Sequence, residues 1–265
     1  MGIVNVTPDS FSDGGQHLQR NAALAHAQQL IVEGADILDI GGESTRPGAR
    51  PVSIQEEMDR VLPIIEELRD AAVPVSIDTF KPEVMLAAIA AGAQMVNDIN
   101  ALQDTAAMNA VAASHAAVCL MHKQGNPQTM QEQPVYQNVV AEVTTFLRDR
   151  IAAAGAAGIQ RDRIVIDPGF GFGKTLAHNL ALLRALSTLA EPGVPVLAGL
   201  SRKSMLGALT GQDVAHRLAA SVAAALLAVQ RGANIVRVHD VSATVDALRI
   251  WNAVNGTGLL NGVKG

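Results

Sequence analysis

Eight apolar runs in this chain are each followed by polar or charged side chains: Asn5, Glu43 to Arg46, Asp78, Asn97 with Asp98, His122, Asp167, Ser201 to Lys203, and Arg237 with His239. Carboxylates, amides and an ammonium arriving from separate segments are equipment for holding a flat polar heterocycle by its N–H, amino and carbonyl edges. Asp78, Asn97, Asp167 and Lys203 suit such a ring, a pterin or a purine. Asn5, Arg237 and His239, from the first and last runs, suit a small anion. Phe11 and Phe172, two of five phenylalanines, sit among glycines rather than in helical stretches and suit the walls of an aryl pocket. Nothing has the pattern of a Cys/His metal cage or a spaced Ser–His–Asp set, so a participating metal would be an oxygen-ligated Mg2+ held mostly by phosphate and water.

Each residue also has a plainer role open to it. Asp78 is placed to cap a helix beginning at Pro82, Asn97 to sit in a turn, and Arg237 to form a surface ion pair. The convergence of all eight segments favours a site. The stretch "DPGFGFGKT", Asp167 to Thr175, ends like a phosphate-binding loop but carries Pro168 where that loop needs its first glycine.

The elements that must position these groups alternate along the whole chain. Strand-like runs "GIVNV", "ADILDI", "VPVSID", "AQMVND", "AVCLMH", "RIVID", "VPVLAGLS" and "NIVRVHD" are separated by Ala/Leu-rich segments with helical apolar spacing. Several of those segments close on glycine: Gly34, Gly92, Gly158 and Gly232. Eight β-then-α units with near-continuous apolar strands predict an α/β protein, a single-domain (β/α)8 TIM barrel over 1–265, with an open doubly wound sheet as runner-up. In such a barrel the C-terminal strand ends carry the site. The loops "TPDSFSDGGQ" and "GGESTRPGARPVS", rich in Gly, Pro and Ser, read as segments that close over a substrate.

Composition narrows the function classes. The chain has 265 residues, 49% of them hydrophobic and 17% charged, and a net charge of −5, enough for a large core and without an extended basic surface for nucleic acid or anionic lipid. Cys119, the single cysteine, lies in "AAVCLM" and reads as a buried apolar residue. No leader pattern opens the chain and no run approaches 18 apolar residues, so a cytoplasmic location is expected.

The series "GIVNVTPDSFSDGG", "DILDIGGESTRPGA", "VSIDTFKPEV", "VNDI", "LMHKQGNPQTMQ", "IDPGFGFGKT", "GLSRKSMLG" and "RVHDV" resembles the dihydropteroate synthases, in order and across essentially the whole chain. The resemblance implies a folate-synthesis transferase that joins hydroxymethyl-dihydropterin pyrophosphate to p-aminobenzoate and is a target of sulfonamides. It implies a pterin-binding set of Asp78, Asn97, Asp167 and Lys203 with Met121 beside the ring, and a pyrophosphate site of Asn5, Arg237 and His239 with Asn5 on Mg2+. It implies an aryl pocket of Phe11, Thr45, Arg46, Pro47, Phe172 and Ser201, with Lys203 again close. Asp78, Lys203, Arg237 and His239 are then the catalytic candidates, and a homodimer is expected.

Two positions depart from the family pattern, Phe80 and Lys123, both near the pterin end. The chain also opens directly on its first strand, where family members carry a further stretch, so a hairpin over the lower mouth is expected to be absent and stability reduced. The alternatives are a pterin-dependent methyltransferase barrel, against which the two loops and "SRKS" argue, and a non-catalytic pterin-binding protein, against which the anion residues argue.

Overall fold

The computed structural model describes residues 1–6, 16–45, 48–126, 129–190 and 193–256, the side chains of 16–19 excepted. The strands are β1 (Gly2–Asn5), β2 (Leu38–Gly41), β3 (Val75–Asp78), β4 (Met95–Asp98), β5 (Ala117–Met121), β6 (Ile164–Asp167), β7 (Leu197–Ala198) and β8 (Ile235–Val236). The helices are α1 (Gln16–Val32), α2 (Ile54–Glu67), α3 (Pro82–Ala91), α4 (Thr105–Ala112), α5 (Val139–Ala156), α6 (Leu176–Arg184), α7 (Leu186–Leu189), α8 (Ser204–Thr210), α9 (Leu218–Gln230) and α10 (Val241–Asn255).

Strands β1 to β6 form one parallel sheet in chain order, and β7 pairs in parallel with β8. Parallel bridges Ile166 to Val196 and Gly2 to Val238 join the two groups at both seams. Backbone bonds Ile166 N–H to Pro195 (2.9 Å) and Ile3 N–H to Val238 (3.1 Å) close the ring, so the runs expected from the sequence make a (β/α)8 barrel rather than an open sheet. The last two strands are shorter than their apolar runs, because at these seams the ladder is reduced to isolated bridges.

Side chains alternate across each strand, so one parity fills the barrel and the other meets the helices. Met1, Met95, Cys119, Val165 and Leu197 pack together inside the barrel, with Ile37, Ala117 and Ile235 against them. The opposite parity, including Val4, Leu38, Ile40, Val75, Ile77, Val96, Val118 and Leu120, joins the core beneath the helices. Cys119 is buried in that inner plug, as its apolar run predicts.

Helix starts are set locally. Ser53 caps α2 by accepting from Glu56 N–H at 3.1 Å, and Val61, Ile64 and Ile65 form its buried face. Thr175 caps α6 in a capping box with His178. Among the described residues no helix is long and apolar enough to cross a membrane. A cleft of about 450 Å3 lies at the strand beginnings, bordered by Asp36, Ile37, Asn234 and Ile235, at the end opposite the polar rim.

Candidate active site

The inward parity that carries the apolar plug turns polar toward the C-terminal end. In register, Asn5 stands beside Gly41, Gly41 beside Asp78, and Asp78 beside Asn97. Gly41 leaves a gap in this row, for a Cβ built there would lie 3.8 Å from Asn5 Oδ1 and 3.7 Å from Asp78 Cβ. Across the barrel, Arg237 follows β8 and reaches two carboxylates: Nε to Asp39 Oδ2 at 2.5 Å and NH2 to Asp78 Oδ2 at 2.7 Å. Asn97 donates to the same Asp39 oxygen at 3.0 Å.

Asp78 is therefore neither a helix cap nor a surface group. Helix α3 begins from Lys81 with no side-chain cap, and Asp78 faces Arg237. Burial pushes the Asp78 carboxyl up, to about 7, against the pull of Arg237 and with a further push from Asp39. Burial alone would lower the guanidinium, but Asp39 and Asp78 more than offset it and hold Arg237 above its ordinary range.

Asp167 ends β6 and accepts from Gly169 N–H at 2.7 Å; burial raises its carboxyl, opposed by the charge of Lys203. Arg202 has φ +58°, which turns the chain so that Lys203 faces inward while Arg202 donates outward to Asp240 at 3.0 Å. Lys203 donates to the Phe170 carbonyl and stands 4.8 Å from the centroid of the Phe172 ring. Burial draws Lys203 down to about 8. Ser201 Oγ lies 3.0 Å from His239 Nδ1 and accepts from His239 N–H at 3.2 Å, joining the aryl and anion candidates. Met121 is buried at the end of β5, paired in register with Asp167.

His122 is turned away from the rim. One residue past Met121 it has the outward parity, and its ring packs edge-on to Phe146 at 4.9 Å. Burial, then the charge of Lys174, lowers it to about 3, so it is a neutral imidazole.

Thr45 is half-buried at the base of the second loop, while Phe11, Arg46 and Pro47 lie outside the described residues. Lys81 Nζ meets Glu57 Oε2 at 2.6 Å, Glu43 Oε2 at 2.8 Å and the Val52 carbonyl at 2.6 Å. Of the two departures from the family pattern, the Phe80 ring has Lys81 Nζ 5.7 Å from its centroid, and Lys123 donates to the Gly125 carbonyl at 3.0 Å.

Sequence reasoning missed Asp39, Glu57, Lys81 and Lys174. Asp39 had a signal: of the two aspartates in "DILDIG" it is the one flanked by Leu38 and Ile40, on the same parity as Gly41 and one layer below the strand end.

Residues 1–239 match the family of pterin binding enzymes. Over 259 residues, 96% of this chain and 92% of the relative, the sequence is 56% identical to the dihydropteroate synthase of Neisseria meningitidis serogroup C. The chain belongs to the dihydropteroate synthase family. A solved dihydropteroate synthase of Xanthomonas albilineans with 4-aminobenzoic acid is 59% identical and matches with a TM-score of 0.91, over 96% of this chain and 92% of that one. Another from the same organism, in complex with 7,8-dihydropteroate, is 56% identical with a TM-score of 0.88 over the same shares. The barrel closed at Ile166 and Gly2 is thus a dihydropteroate synthase barrel, and the chain is a transferase of that family.

Proposed function

We propose that this enzyme condenses 6-hydroxymethyl-7,8-dihydropterin pyrophosphate with p-aminobenzoate to give 7,8-dihydropteroate and pyrophosphate in folate biosynthesis. The observation that carries this reading is the convergence of Asp78, Asn97, Asp167 and Lys203 on one barrel end, with Arg237 directly against Asp78. Asp167 and Asn97 accept from and donate to the pterin edge, Lys203 donates to its ring acceptors, and Met121 lies beside its face. Arg237, His239 and Asn5 take the pyrophosphate, for which Arg237 can exchange carboxylate contacts for phosphate oxygens.

Chemically, the C–O bond from the exocyclic methylene to pyrophosphate breaks with its electron pair leaving on pyrophosphate. The electron-rich ring bears the resulting cation, which the Asp78 carboxylate stabilises. The arylamine lone pair then forms the C–N bond, and its proton passes to solvent or the departing pyrophosphate. Phe172, Ser201 and the second-loop residues Thr45, Arg46 and Pro47, with Phe11 from the first, position the aryl acid and keep water out. No covalent enzyme intermediate is required. Sulfonamides would compete in the same aryl pocket.

The donor set suits Mg2+: the Asn5 carboxamide supplies one hard oxygen next to Asp78, and pyrophosphate and water would supply the rest. When bound, Mg2+ would neutralise charge on the leaving group.

We further assign 1–265 to one domain, a cytoplasmic location and a homodimer. Leu209, Val214 and Leu218, exposed along the α8–α9 segment, support an apolar subunit contact. Pyrophosphate release measured with both substrates and Mg2+ tests the activity. Release that ignores p-aminobenzoate would point to hydrolysis, and pterin binding without any release to a binding protein; either outcome removes the synthase reading.

A further inference from the structure

We propose that Lys174 is a positioning residue for this reaction: its buried ammonium, held by backbone carbonyls from the loops after β5 and β6, shapes the turn that carries Phe172 and receives Lys203. Lys174 is 3% exposed. Its Nζ lies 2.9 Å from the Gly169 carbonyl, 3.0 Å from that of Phe172 and 3.3 Å from that of His122, with His122 Nδ1 at 3.0 Å. The neutral imidazole accepts there, and its ring is locked by Phe146 and Tyr136.

A phosphate-binding loop points N–H groups at an anion; here a glycine-rich loop points carbonyls at its own lysine. Every carbonyl from Gly169 to Thr175 accepts from a side chain: Lys174 takes Gly169 and Phe172, Lys203 takes Phe170, Gln131 takes Gly171, Tyr136 takes Gly173, and Asn179 takes Lys174 and Thr175. The same turn makes three contacts with two site groups, Asp167 and Lys203, on its other side. Gly169 N–H holds Asp167, Phe170 holds Lys203, and Phe172 lies against Lys203. Without Lys174, the Phe172 and His122 carbonyls lose this donor and the Gly169 carbonyl keeps only the Phe172 N–H at 3.1 Å, so the peptide planes that set these contacts reorient to find another.

Burial draws Lys174 down to about 7, and below that pH its ammonium lowers the Asp167 carboxyl, opposing the burial that raises it. Removing that charge favours protonated Asp167, an effect a purely structural residue would not have.

The inference rests on the synthase reading, and its test reads binding rather than turnover so that the two can fail separately. Lys174→Met, and Lys174→Gln as a milder neutral replacement, are titrated calorimetrically with 6-hydroxymethylpterin across pH, beside thermal melts and an Arg249→Met control that removes an exposed cation. We expect pterin affinity to fall by about tenfold or more in a folded variant, its acid limb to move to higher pH, and Arg249→Met to leave both nearly unchanged. A folded variant with a lower melting temperature, affinity within about twofold of the parent and an unmoved acid limb would overturn the proposal. A parent chain that binds pterin but makes no dihydropteroate would sink the synthase reading and leave this test standing. If the parent binds no pterin, both fall.

Discussion

Arg237 Nε lies 2.5 Å from Asp39 Oδ2, although 198 residues separate the two in the chain. The contact spans the closure of the barrel, from β2 to the end of β8, and makes the buried Asp39 tolerable beneath the site. It also aims the second guanidinium nitrogen at Asp78. A single side chain thereby links the barrel's interior charge to the carboxylate assigned to the developing cation.

Breaking this pair is expected to be costly. Arg237→Met should lower unfolding free energy by about 3–5 kcal/mol, because Asp39 is left charged and buried, and should abolish turnover. Adding Asp39→Asn should recover part of the stability but not the activity. Urea titration of the two single variants and the double variant gives the coupling, and strictly additive losses would show that the contact is not energetic.

The pH dependence of kcat/KM should be a narrow bell. In the proposed roles Asp78 acts as a carboxylate and Lys203 as an ammonium; burial pushes the first up to about 7 and draws the second down to about 8, so activity should fall as pH drops through the lower value and as it rises through the upper. Asp78→Asn should remove the acid limb along with most of the rate. Because burial raises the folded Asp78 carboxyl from 3.8, its contribution to stability is full below 3.8 and lost as pH rises through about 7. A flat rate profile between pH 6 and 9, roughly the span of the two groups, would contradict both assignments.

Asp167→Ala should weaken pterin binding by more than about tenfold, because a ring N–H or amino group loses its buried acceptor. Calorimetry with 6-hydroxymethylpterin measures this directly. An unchanged dissociation constant would take Asp167 out of the pterin site.

Gly169→Ala should be among the most damaging single-methyl changes in the chain. At φ +68° its added Cβ would lie 1.8 Å from the His122 carbonyl oxygen, so the turn must open. The expected loss is about 3 kcal/mol or more, read by thermal melting, with the pterin site disturbed as well. Retention of both stability and affinity would show that the turn is not under this constraint.

Lys81→Met should destabilise by about 3 kcal/mol, since it leaves the buried Glu57 without its cation. It should also raise KM for p-aminobenzoate more than KM for the pterin substrate, because Lys81 holds Glu43 and Val52 at the two ends of the second loop. Melting curves and steady-state kinetics check the two effects, and equal changes in both KM values would argue against a loop-specific role.

Much of this architecture was legible in the chain. Asp78, Asn97 and Asp167 end apolar runs, and parallel strands force such ends to one face of a barrel. Parity also separates Met121 from His122: adjacent residues on a strand cannot both face inward, so the second becomes a core imidazole. Lys174 was legible as a lysine in a glycine loop but not in its role, because a P-loop and a carbonyl cage share composition and differ only in which end of each peptide faces inward.

The linear order of residues by itself determined the alternation of β and α, the apolar plug, the polar strand ends and the family. Tertiary structure alone decided partners. Arg237 meets Asp39 rather than solvent, Lys81 meets Glu57, and Lys174 meets three carbonyls. Periodicity is a property of neighbouring residues, whereas the pairing of buried charges depends on chain closure that brings distant segments together and withdraws the water that would otherwise solvate them.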